Sequence, residues 1–111
     1  MKQENISIVQ NNTETFKIKV DLPGRYSDLS KCSAELYIFD SNKVLKKISK
    51  SVAGQITKEE VTIELPSGDN SFDPGVMLYE IWLYYDKDQP NEERKTILQG
   101  KLTVVESMFK G

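Results

Sequence analysis

The sequence predicts an all-β chain, an immunoglobulin-like antiparallel β-sandwich of about seven to eight strands. Three observations carry that expectation. Apolar and polar residues alternate with period two along most of the chain. Clusters of Gly, Pro, Asn, Asp and Ser punctuate the alternation at short intervals. No segment sustains an i, i+3, i+4 apolar rhythm of the kind that lays a helix on a core. A length of 111 residues suits one domain, residues 1–111, with a core of its own. A partly open barrel is the second architecture this pattern allows.

The elements follow in order. "ISIV" near the start is a weak strand, expected at a sheet edge. "TFKIKV" sets Phe16, Ile18 and Val20 on one face against Lys17 and Lys19, a half-buried strand. "CSAELYIFD" turns Cys32, Ala34, Leu36 and Ile38 inward and Ser33, Glu35 and Tyr37 outward. "KVLKKISKSV" is a second weak strand, whose lysines suit an edge because they deter stray pairing. "EVTIEL" points Val61, Ile63 and Leu65 inward. "FDPGVMLYEIWLYYD" and "TILQGKLTVVE" are the longest strands, joined through the polar hairpin loop "DKDQPNEER". In the last strand Leu98, Leu102 and Val104 share a face, and Gly100 marks a bulge or a close backbone approach. Leu22-Pro23-Gly24, Asp40-Ser41-Asn42, Pro66 to Asn70 and Asp73-Pro74-Gly75 supply the turns.

Charge and composition narrow the function. Fifteen basic and seventeen acidic residues leave a net charge of -2, without the basic field that nucleic-acid binding requires. Lys43, Lys46, Lys47 and Lys50 form a basic cluster with no interleaved aromatics for base stacking, and it reads as a solvated strand face. The single cysteine, Cys32, rules out an internal disulfide and a CxxC metal site, and its parity makes it a small buried hydrophobe. The polar N-terminus lacks a signal-peptide pattern, and no stretch reaches the length of a membrane span. A soluble, reduced chain without a membrane partner is expected. Asn5-Ile6-Ser7 and Asn11-Asn12-Thr13 fit the glycosylation pattern, which has no use without secretion.

Catalytic chemistry finds little support. The chain has no histidine to serve as the base of a nucleophilic triad. Carboxylate pairs for glycosidase-type catalysis would have to come from Glu59-Glu60, Glu92-Glu93 or Asp69 with Asp73. Neighbours on a strand point to opposite faces, and the loop pair lacks apolar surroundings to raise a pKa. Asp86, Asp88, Asn91 and Glu92 offer hard oxygen ligands, but Pro90 and Ile97 stand where a calcium loop needs ligands. No catalytic, cofactor or metal residue is expected, and no enzyme.

The strand "FDPGVMLYEIWLYYD" is apolar on both parities. Met77, Tyr79, Ile81 and Leu83 belong in the core, which leaves Val76, Leu78, Trp82 and Tyr84 outside with Glu80 between them. Three covers would suit that strip: the fold itself, a protein partner, or a sugar stacked on Trp82 and Tyr84. Val76, Leu78, Trp82 and Tyr84 are the expected interface, and self-association into a homo-oligomer is expected through it.

The order of "NNTETFKIKV", "YSDLSKCSAELYIFD", "IELPSGDNSFDPGVMLYEIWL" and "TILQGKLTVVES" resembles the N-terminal β-sandwich of phage baseplate upper proteins and related tail-appendage domains. The residues that carry the resemblance are Phe16, Ile18 and Val20; Asp28, Leu29 and Ser30; Pro74, Gly75, Tyr79, Glu80 and Ile81; and Gly100, Leu102 and Val104. It spans about residues 6 to 107. Ser30 replaces a usual threonine, Lys31 a common glycine and Met77 a usual tyrosine. The resemblance implies a non-enzymatic bacteriophage structural protein in the virion, docking on other virion proteins of the baseplate, tail, neck or capsid. A chain ending at Gly111 would leave no room for a coiled coil or receptor-binding domain, which suits a free-standing adaptor or decoration. The alternative is a carbohydrate-binding module contacting host glycans through Trp82 and Tyr84.

Overall fold

The computed structural model describes residues 2–21, 29, 32–51 and 55–108. Leu22, Pro23, Gly24, Asp28, Ser30 and Lys31 lie outside them. The described strands are β1 (Lys2–Gln3), β2 (Ile6–Val9), β3 (Glu14–Lys19), β4 (Cys32–Phe39), β5 (Leu45–Lys50), β6 (Glu60–Leu65), β7 (Gly75–Tyr85) and β8 (Glu93–Val105). The large sheet runs β1-β8-β7-β4-β5 with β2 also on β8, and β3 pairs with β6 in the small sheet. This is an immunoglobulin-like sandwich: β3 and β6 take the places of strands B and E, and β4, β5, β7 and β8 those of C, C′, F and G. One part of the expectation needs correction. Not every pairing is antiparallel, because β1 and β2 run parallel to β8. The N-terminal segment thereby closes one edge of the large sheet and leaves β5 at the other.

Alternation decides which side chains meet between the sheets. From the large sheet come Ala34, Leu36 and Ile38, then Tyr79, Ile81 and Leu83, then Leu98, Leu102 and Val104, with Ile8 beside them. From the small sheet come Ile18, Val61, Ile63 and Leu65, and Leu29 is fully buried among them. Burial of this set is the main force that holds the two layers together. Phe16, Val20 and Cys32 pack at its margin.

Two local irregularities shape β8. Ile81 pairs with Leu98 but Trp82 with Thr96, so Ile97 is an extra residue and the strand bulges there. The bulge lets the consecutive residues Ile97 and Leu98 both be buried. Gly100 instead marks a close backbone approach: a Cβ built there would stand 2.0 Å from the Glu4 carbonyl oxygen. Its pairing partner Tyr79 donates its hydroxyl to the same carbonyl at 2.6 Å, and burial pushes that phenol up to about 12. The two residues dock the N-terminal segment against β8.

The turns use the expected chemistry. Asp40 Oδ1 accepts from the N–H groups of Asn42 and Val44 at 2.8 and 3.0 Å, folding the β4–β5 hairpin. Gly75 opens β7 at φ 149°, a conformation that residues with side chains rarely adopt. The loop between β7 and β8 turns with Asp86 and Asp88 at positive φ.

Candidate interaction surface

The outer face of the large sheet carries the residues expected to bind. Glu35, Tyr37 and Phe39 of β4 point there, as do Val76, Leu78, Glu80, Trp82 and Tyr84 of β7. The register sets them side by side: Glu35 pairs with Trp82, Tyr37 with Glu80 and Phe39 with Leu78. On the far flank of β4, Ile48 stands opposite Tyr37 and Leu45 opposite Phe39. On the far flank of β7, Arg94 stands opposite Tyr84 and Lys101 opposite Leu78. The face divides into two halves of different chemistry.

One half supplies its own cover. The Trp82 ring has Tyr37 on the β4 side, 4.1 Å between ring centroids, and Arg94 on the β8 side, with its guanidinium carbon 3.8 Å from the indole centroid. Tyr84 meets the edge of Trp82, and the Lys87 ammonium lies 4.1 Å from the Tyr84 ring centre. Beneath them Glu35 is 3% exposed although its parity points outward. Its carboxylate accepts the Tyr37 hydroxyl and takes Lys87 Nζ at 3.1 Å, with Lys50 Nζ at 3.8 Å. The hydroxyls of Tyr37 and Tyr84 are 2.9 Å apart, which completes the chain.

Protonation states in this half follow from the contacts. Burial pulls the Glu35 carboxyl up, but the Tyr37 hydroxyl and the Lys87 and Lys50 ammonium groups outweigh it and hold the group below its ordinary value. Burial and the adjacent carboxylate push the Tyr37 phenol well up. The bond to Glu35 raises Lys87. Each group is locked in its charged or hydrogen-bonding form.

The other half is open. Val76, Leu45 and Ile48 are 55%, 43% and 39% exposed, and Leu78 and Phe39 between them are half-buried. A shallow groove of about 560 Å³ adjoins this half at Phe39 and Leu78, lined also by Glu80, Gln99, Lys43 and Lys101.

Of the four expected interface residues, Val76 and Leu78 therefore stand in the open half, and Trp82 and Tyr84 in the covered one. Tyr84 is buried and both flanks of Trp82 are occupied. The expected sugar platform on Trp82 and Tyr84 needs free ring faces, and this geometry does not present them. Phe39, Leu45 and Ile48 were not in the expected set, although the parity of "CSAELYIFD" already put Phe39 beside Tyr37. The Glu35 ion pair left no signal, since Lys87 lies far along the chain in a loop. Of the other carboxylates considered for catalysis, Asp69 pairs with Lys47 at 2.9 Å, and no group of three metal-binding side chains occurs among the described residues.

No protein-family model and no curated protein matches the chain. Among solved structures it is similar to the major subunit of aggregative adherence fimbriae type I from Escherichia coli, with 13% identity over 95% of this chain and 91% of that one, at a TM-score of 0.36. The expected role as a bacteriophage virion component is corrected by these findings: no family supports it, and the similar structure belongs to a bacterial fimbria rather than a phage. A likeness that loose assigns neither activity nor partner to this chain.

Proposed function

We propose that the chain is a non-enzymatic structural β-sandwich that associates with copies of itself through the open half of its outer face. The observation that supports this most is the contiguous apolar surface of Val76, Leu78, Phe39, Leu45 and Ile48 on three neighbouring strands. Water contact with such a surface costs roughly 25 cal/mol per Å². One further feature favours a second copy as its cover. Glu80, Lys43 and Lys101 all line the adjoining groove, so two copies meeting there can set carboxylate against lysine.

Sedimentation velocity over a range of concentrations tests the reading. The wild-type chain is expected to shift from monomer toward dimer or higher assembly as concentration rises. Val76→Glu and Ile48→Glu, both at exposed positions, are expected to stay monomeric while melting normally. A wild-type chain that remains monomeric at high concentration would remove the proposal.

A further inference from the structure

The free edge of the large sheet is a separate feature with its own chemistry. β8 is closed by β1 and β2, whereas among the described residues no strand pairs with the far side of β5. The register shows which backbone groups are available there. Ser51 N–H donates to the Ala34 carbonyl, and alternation along the strand then turns the N–H and C=O of Ile48 and Lys50 away from β4. They form a short template for another strand. Lys43, Lys46, Lys47 and Lys50 surround it on a chain whose net charge is -2.

The lysines decide what can pair. Two β5 strands brought edge to edge would set Lys46, Lys47 and Lys50 against the same residues of a second copy, and like charges across a strand pair are destabilising. Self-pairing through this edge is therefore disfavoured, as are neutral or basic strands that offer nothing in return for displacing water from the ammonium groups. An acidic strand reverses the balance. Lys50 is 69% exposed on its side chain and lies only loosely beside Glu35 at 3.8 Å, and Lys46 is 48% exposed with Asp40 at 3.7 Å. Lys46 can turn toward an incoming carboxylate freely, and Lys50 can do so while Lys87 still pairs with the buried Glu35. Lys47, held to Asp69 at 2.9 Å, keeps the strand braced against the turn that follows β6.

We propose that the β5 edge is a binding site for an extended, acidic peptide segment of another protein, added as a further strand of the large sheet. Main-chain hydrogen bonds to Ile48 and Lys50 give the contact its geometry, and Lys46 and Lys50 select acidic side chains. The site uses the backbone edge of β5 and not its apolar side chains, so it does not rest on self-association.

The test is fluorescence anisotropy of a labelled, capped octapeptide of Glu, Thr and Val with four glutamates, titrated with the full chain at low salt. Binding is expected, with amide exchange at Ile48 and Lys50 slowed in the complex. The variant K46E/K50E is expected to weaken it by about tenfold or more. The same peptide N-methylated at alternate residues keeps its charge but loses backbone donors, and it is expected not to bind. No binding of the parent peptide would mean that the lysines only guard the edge and would overturn the proposal. Equal binding of the N-methylated peptide would overturn it too, by showing a charged patch without strand addition.

Discussion

The two halves of the outer face are made by the same strands with the same alternation, yet one carries its own cover and the other does not. At the end near the β7–β8 loop, Glu35, Tyr37, Trp82, Tyr84, Lys87 and Arg94 interlock through rings and charges. At the opposite end Phe39, Leu45, Ile48, Val76 and Leu78 present aliphatic and aromatic carbon, and Lys43 and Lys101 line the groove beside Phe39 and Leu78. Outward parity thus does not mean wet, and apolar does not mean free. What separates the halves is whether a long cationic side chain from a neighbouring element can lie across the rings, as Arg94 and Lys87 do.

The comparison can be broken by substitution, and core truncation sets the upper end of the scale. Ile81→Ala removes a fully buried side chain between the sheets and is expected to cost about 2–5 kcal/mol in chemical unfolding. Lys87→Ala should come next, at about 2–3 kcal/mol at neutral pH. It strands the buried Glu35 carboxylate, although Tyr37 and Lys50 soften the loss. The effect is linked to pH. Glu35 sits below its ordinary value of 4.5 in the folded chain, so the unfolded chain binds the proton first as acid is added. The stability from this group is complete above that value and is lost as pH falls through the lower folded one. The gap between wild type and Lys87→Ala should accordingly narrow in urea titrations at pH 3, and an unchanged gap would show that Glu35 is not the cause. Trp82→Ala is expected to cost about 2 kcal/mol, since it removes the contact with Tyr37 and the seat of Arg94. A loss as large as that of Ile81→Ala would place Trp82 in the core proper.

The sequence made the fold legible because each inward set kept strict alternation. Val61, Ile63 and Leu65 are all fully buried, as are Ile81 and Leu83, and the polar turn residues stand where the chain reverses. Parity also placed Trp82 and Tyr84 on the outer face correctly. The pairing partners were beyond its reach. That β1 and β2 run parallel to β8 depends on the Glu4 carbonyl seated on Gly100, a contact between opposite ends of the chain. The bulge at Ile97 showed only as two successive apolar residues, whereas Gly100 was the visible irregularity. The covered half was hidden because Glu35 looks solvated until Lys87 is brought to it from the β7–β8 loop, a contact that no pattern along β4 announces. The open half was read incompletely because Leu45 and Ile48 sit in a lysine-rich stretch that suggests only an edge.

The open half, and not the covered half, is the proposed place where copies of the chain meet. Heteronuclear NMR spectra recorded across a dilution series test it residue by residue. Concentration-dependent shifts are expected for the amides of Phe39, Leu45, Ile48, Val76 and Leu78, while the Trp82 indole N–H and the Glu35 amide stay in place. Shifts centred on Trp82 and Tyr84, with the open half unmoved, would contradict the account.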